Sequence, residues 1–315
     1  MPAEDRRGPG ALCARSSRQS RVPAEETLPA SPRSESPGSA LGTAAVTLIG
    51  GRAHTSRSHL RELWQSREII FILAWRDIKV RYKQTFIGIA WAILQPLLTM
   101  VVFTIIFGKF ASFDSQGLPY QVFVYSGLVP WTFFAAGFSM AAMSVVSNRN
   151  LVGKVYFPRL ALPLSAVVVP AVDFFFSFAV LFGIMAWFHI VPEATAPLSL
   201  LFVLALAVTA FGAGCVLATL NVRYRDVPYV VPFLIQTWLY LSPVIYATAS
   251  LPAKWQWVFS LNPVVFAITG FRWALLGTPP PSSQQIVLGL ASLIAMTATG
   301  LFVFRRFESR FADTL

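Results

Sequence analysis

The sequence predicts an all-α polytopic membrane protein: six transmembrane helices, an N-terminal amphipathic interface helix, and two short re-entrant helices before the last span. Three observations carry this expectation. Hydrophobic residues make up 55% of the 315-residue chain and charged residues only 12%, a balance far from that of a soluble domain. Between Gln84 and Phe304 there are twelve charged residues, nearly all in gaps between apolar runs, as hydrocarbon burial demands and a globular core does not. Finally, the stretch Arg76 to Phe107, RDIKVRYKQTFIGIAWAILQPLLTMVVFTIIF, passes without a break from a dense basic segment into an apolar run.

Taken in order, residues 1–57 are rich in Pro, Ser, Arg, Glu and Gly and poor in large apolar side chains, which predicts a disordered tail. Leu41 to Gly51 is too short and too broken by glycine to be a signal-peptide core, so the first span is expected to act as an uncleaved signal and anchor. Residues 58–315 then form one transmembrane domain. Residues 60–83 are expected to form the interface helix, with Phe71, Trp75, Ile78 and Tyr82 recurring on one face and Arg76, Lys79 and Lys83 on another. Such a helix lies along the cytoplasmic membrane surface, aromatic side in the headgroups.

The first span is 86–108, without a charge, and at about 1.5 Å per residue that length covers the roughly 30 Å of hydrocarbon. A second span, 120–146, carries Tyr120, Tyr125 and Trp131 toward its outer half, as an interfacial belt does. The loop SNRNLVGKVYFPR follows, then a third span, 160–190, kinkable at Pro163 and Pro170. In the fourth, 198–220, Gly212 and Gly214 permit close helix approach. The basic turn NVRYRD leads to the fifth, 228–246. Residues 252–277 hold two short aromatic-rich pieces separated by Asn262-Pro263, which suits paired re-entrant or interfacial helices. The sixth span, 286–304, precedes a basic tail with Arg305, Arg306 and Arg310.

Charge then sets the orientation. With loops assigned alternately, the inner side from Arg61 onward holds fourteen Lys or Arg, while the outer side holds Lys109, Lys254 and Arg272, so both termini are expected in the cytoplasm. The net charge of +11 is accounted for by this asymmetry and does not argue for nucleic acid.

Catalytic patterns are missing from the sequence. There is no phosphate loop, because Gly108-Lys109 and Gly153-Lys154 lack the upstream glycine and the following hydroxyl residue. Neither His-Glu-x-x-His nor Gly-x-Ser-x-Gly occurs, His54, His59 and His189 are isolated, and Cys13 and Cys215 belong to no metal-ligand cluster. Asp173 is the ionisable residue well inside a span; it admits a functional role or a bond to a neighbouring helix. Asp77 and Arg81, four apart, are positioned to pair on the interface helix. The basic loops also leave two readings open: simple positive-inside topology, or docking surfaces for a cytoplasmic motor.

Six blocks carry a resemblance: RDIKVRYKQTFIGIAWAILQP (76–96), VYSGLVPWTFF (124–134), LVGKVYFPRLALPL (151–164), NVRYRDVPYVVPFL (221–234), LSPVIY (241–246) and LNPVVFAITGFRWALLG (261–277). Together they resemble the permease subunit of ABC exporters of polysaccharides and polyol phosphates, the O-antigen, capsule and teichoic-acid export permeases. The likeness runs from about Leu60 to Phe307; the tail before His59 is longer than these permeases usually carry. The resemblance implies a homodimer working with two separate ATP-binding subunits, which hold the ATP and Mg, so that this chain is a transport subunit and no enzyme. It implies a bacterial inner-membrane location and a lipid-linked glycan as cargo. By matching position, Arg76, Asp77, Lys79, Arg81 and Tyr82 resemble the interface helix, and Asn148, Lys154, Tyr156 and Phe157 the coupling helix, both docking the ATPase. Arg223, Arg225 and Asp226 would line the cytoplasmic approach of a diphosphate, and Asn262, Pro263 and Arg272 the outer gate. Phe103, Tyr125, Trp131, Trp238, Tyr240 and Tyr246 are candidates for the channel wall. A permease for a small molecule or drug, an ion-coupled carrier and a membrane-bound glycan-processing enzyme remain alternatives.

Overall fold

Helices follow the apolar runs, and proline sets where several of them stop. The computed structural model describes residues 66–83, 86–110, 114–153, 157–250 and 252–311. The expected disordered tail of residues 1–57, residues 60–65 of the expected interface helix, Lys154 and Tyr156 lie outside the described residues. Among the described residues there are helices and turns and no strand. In chain order they are α1 (Arg67–Tyr82), α2 (Phe86–Phe103, continued as a π-helix over Thr104–Phe110) and α3 (Tyr120–Ser147). Next come α4 (Arg149–Val152), α5 (Ala161–Val168), α6 (Ala171–Trp187), α7 (Ser199–Arg223) and α8 (Val227–Tyr240). The last three are α9 (Ala253–Ser260), α10 (Pro263–Leu276) and α11 (Ser283–Glu308).

Among the described residues, five stretches are long and apolar enough to cross a membrane: Ala90–Phe110, Tyr120–Ser147, Ala161–Trp187, Ala196–Arg223 and Ser283–Glu308. The pair α9 and α10, bent by 94° at Leu261-Asn262, passes the same test as one broken unit and raises the number to six. The third stretch is α5 and α6 together, interrupted where Pro170 caps α6. Pro163 does not break α5, because it sits in the first turn, where no intrahelical N–H is lost.

The expected fifth span needs correction. The expectation is 228–246, but α8 ends at Tyr240 after 14 residues, about 21 Å at the α-helical rise and short of the hydrocarbon thickness. Pro243 explains the stop: it disfavours helical backbone at Ser242 and removes the N–H that would have bonded to Leu239. The apolar side chains that follow, Val244 and Ile245, are buried as a turn rather than as helix.

The described residues form one unit. At its centre α3 packs along α7, and α7 also carries α10 and α11, while α2, α5 and α6 lie against α3. The α7–α11 crossing is close because both helices present glycine there. A Cβ on Gly212 would stand 2.7 Å from Cα of Thr297, and one on Gly300 would stand 2.1 Å from the Gly212 carbonyl oxygen. The expected close approach at Gly212 and Gly214 is thus met, with Ala141 of α3 opposite Gly214. Outward faces of α2 and α11 remain apolar, with Leu98, Val102, Ile106, Val287, Ile294 and Phe302 exposed, the pattern of helices whose solvent is lipid.

Two apolar cores result. The larger holds Phe123, Phe134, Phe138, Leu206 and Phe271 in the middle of the bundle. The smaller lies at one end, where Leu73, Val145, Val152, Phe157, Phe304 and Phe311 bring together α1, α3, α4 and the last turns of α11. This is the end that carries the basic loops.

Candidate functional site

Helix α1 begins with Glu68 in its first turn and finishes with Lys79 and Arg81 in its last, both favourable to the helix dipole. It packs on α5 through Leu73 and Ala74, which are buried. The face expected to be aromatic is rearranged. Phe71 and Trp75 stack with ring centroids 6.2 Å apart and stay exposed, beside exposed Ile72 and Val80. Lys79 reaches over the Trp75 ring at 5.6 Å, so cations and rings interleave on one outer surface instead of occupying separate faces. Tyr82 leaves that surface and turns inward.

Among the described residues, polar side chains tether α1 to the spans. Arg76 donates from Nη2 to Asn148 Oδ1 at 2.7 Å, and Asn148 donates to the Ser144 carbonyl at 2.8 Å, which links the helix to the end of α3. Farther along, Arg81 pairs with Asp173 of α6 at 2.5 Å, and the Tyr82 hydroxyl donates to the other oxygen of that carboxylate. Burial, and then the bond to Asp173, pushes the Tyr82 phenol above its ordinary range, so it stays protonated as a donor. Of the two roles open to Asp173, bonding to a neighbouring helix is the one the geometry displays. The pairing expected between Asp77 and Arg81 is replaced: Asp77 accepts from its neighbour Arg76 at 2.7 Å, and Arg81 meets Asp173.

The loop after α3 folds into the single turn α4. Arg149 and Asn150 are exposed there, whereas Val152 and Phe157 are buried in the smaller core, so Phe157 packs the loop down and presents no docking surface. Arg159 donates from its backbone N–H to Glu308 Oε1 at 3.1 Å and from its guanidinium to the Glu308 carbonyl, tying the same loop to the end of α11. The structure therefore brings Arg76, Lys79, Arg81 and Asn148 together at one end. Arg223, Arg225 and Asp226, at the turn from α7 to α8, are all exposed.

The expected outer-gate residues have other contacts. Asn262 caps α10, its Oδ1 accepting from Val264 N and from Trp238 Nε1, each at 3.0 Å, while its Nδ2 donates to the Leu241 carbonyl at 3.1 Å. Pro263 follows as the first residue of α10, where its fixed φ suits the helix and no bond is lost. Arg272, expected on the outer side, is a buried clamp, 3% exposed. Its guanidinium donates to the carbonyls of Pro243 (2.5 Å), Val244 (2.8 Å) and Phe123 (2.9 Å) and to Ser126 Oγ (3.3 Å). It also lies 3.8 Å from the centroid of the Phe123 ring. Gly127 makes room, since a Cβ there would stand 2.3 Å from Arg272 Nη2. Ser126, Gly127, Pro243 and Val244 were not singled out from the sequence, because one chain carries no sign that residues up to 149 positions apart share a cation.

The aromatic candidates divide. Tyr125 and Trp131 are buried within the protomer and packed in the larger core, which removes them from any surface path. Trp238 packs edge-on to Phe134 at 4.9 Å and is half-buried, as are Phe103 and Tyr246, while Tyr240 is exposed. Other exposed aromatics were not among the candidates: Tyr229 and Phe233 of α8, Trp255 and Trp257 of α9.

Comparison with known proteins agrees with this architecture. The O-antigen export system permease protein RfbA of Myxococcus xanthus is 29% identical over 267 residues, covering 81% of this chain and 98% of that one. RfbA of Klebsiella pneumoniae is 26% identical over 249 residues, 79% of this chain and 95% of that protein. The polysialic acid transport protein KpsM of Escherichia coli is 22% identical over 246 residues, 74% and 91% of the two chains. Residues 68–276, from α1 through α10, match the family described as ABC-2 type transporter, and with its several apolar spans this multi-pass membrane protein belongs to that family.

Proposed function

We propose that the chain is the permease subunit of an ATP-driven exporter moving a lipid-linked polysaccharide, of O-antigen, capsule or teichoic-acid type, from the cytoplasmic to the outer face of the inner membrane. ATP and Mg act on separate ATP-binding subunits, two of which join a homodimer of this chain, and both termini face the cytoplasm. The observation that carries the reading is the fastening of α1 to the spans. A force applied to its exposed cations reaches α3 through Arg76 and Asn148 and α6 through Arg81 and Asp173. Relatives named for O-antigen export and polysialic acid transport supply the cargo class.

Arg225 and Asp226 then stand at the cytoplasmic approach, where a guanidinium group recognises a diphosphate. The exposed rings of α8 and α9, with Tyr240, offer one wall of a path completed by the second copy, suited to the C–H faces of sugars. Re-entry of α9 and α10 is supported by their contacts. The apex Asn262 is bonded to the end of α8, while the last carbonyls of α10, Ala274 and Leu275, accept from Thr195 and Glu193 of the α6–α7 loop.

Reconstitution with the ATP-binding subunit tests the reading. Arg76→Glu with Lys79→Glu should reduce permease-stimulated ATP hydrolysis at least tenfold while the chain elutes normally, as reversal of docking charges predicts. Unchanged stimulation, or nucleotide turnover by this chain alone, overturns it.

A further inference from the structure

The last turns of α7 and α11 diverge and leave a cleft of about 390 Å³ between them. Arg223 and Tyr224 line it from α7, and Phe307 and Arg310 from the end of α11. About one turn farther into the bundle its lining is Leu220 and Val303. Each cation lies near an aromatic ring: Arg223 is 5.5 Å from the centroid of Tyr224, and Arg310 is 5.8 Å from that of Phe307. Arg225, Asp226 and Arg306, though close in sequence, are outside its lining.

Cations at the helix ends, rings beside them and apolar side chains deeper in repeat the profile of a membrane leaflet from headgroup to acyl chain. A soluble anion has no use for the apolar depth, and a zwitterionic headgroup would bring its own cation against two arginines. We propose that this cleft binds an anionic phospholipid, with its phosphate on Arg223 and Arg310 and one acyl chain along Leu220 and Val303. The site is independent of the cargo. It also divides the basic turn after α7: Arg223 holds a lipid of the bilayer, leaving Arg225 for the approach.

The test uses the full-length chain in mixed micelles of phosphatidylglycerol and phosphatidylcholine, with retained lipid counted by native mass spectrometry. Wild type should retain phosphatidylglycerol in clear preference, and Arg223→Gln with Arg310→Gln should lower that retention roughly tenfold, the scale of lost charge-assisted contacts. Arg306→Gln should leave it unchanged. Equal retention by the double variant, an equal loss with Arg306→Gln, or displacement of the lipid by millimolar inorganic phosphate overturns the proposal. Val303→Trp fills the apolar end without altering charge, so if the double variant does not stay monodisperse this variant decides. It should lower phosphatidylglycerol retention, and unchanged retention overturns the site.

Discussion

Arg272 shows how one residue acts when its charge is buried without a carboxylate. Three backbone carbonyls and a hydroxyl share its donors, two of them from the turn that Pro243 imposes after α8. Each buried carbonyl left unpaired costs roughly 1–3 kcal/mol, so Arg272→Met should lower the melting temperature by about 5 °C or more. Gly127→Ala should reproduce the effect by displacing the same guanidinium, and the two together should fall short of the sum. Thermal melts of the single and double variants check this, and a wild-type transition in Arg272→Met would count against the clamp. Asp173 is a gentler case. Arg81 is 40% exposed, and solvent screening holds the pair to less than about 1 kcal/mol. Its effect should therefore appear in local motion: Asp173→Leu should speed amide exchange over residues 76–82 about tenfold with little change in melting. Unaltered exchange would mean α1 is held by Leu73, Ala74 and the Arg76–Asn148 bond without Asp173.

At the scale of an element, the α9–α10 corner depends on Asn262, which caps one helix and receives the indole of another. Asn262→Ala removes both bonds, at a cost near 1–2 kcal/mol for the cap. The Trp238 ring, released from its partner but still against Phe134 and Phe138, should show a shifted fluorescence maximum in a background where the other tryptophans are replaced. No shift would place the restraint in ring packing. Helix α1 makes a related point: its faces differ from those that periodicity predicts. The buried stripe is set by α5, which covers Leu73 and Ala74, and by Asp173, which draws Tyr82 inward.

For the whole molecule, the smaller core joins the chain's two docking candidates to its last helix, so α1, α4 and the end of α11 form one platform. That platform should face the cytoplasm. In a cysteine-free background, Arg149→Cys and Arg225→Cys should resist a membrane-impermeant maleimide added to intact cells, while Gln116→Cys and Val191→Cys should react. Labelling of both pairs, or of the first pair alone, would reverse or abolish the orientation derived from positive charge.

Charge-free apolar runs, the glycines at 212 and 214, the basic loops and the missing phosphate loop were legible along the chain, because burial in hydrocarbon and helical period are local properties of a sequence. The family was legible as well, since its blocks are contiguous. What only the tertiary structure decided depends on partners distant in sequence. The burial of Tyr125, Trp131 and Phe157, the exchange of Asp77 for Asp173 beside Arg81, and the turn of Arg272 into the bundle each rest on a neighbour from another helix. No pattern within one segment carries that neighbour, because it is packing that brings the two together.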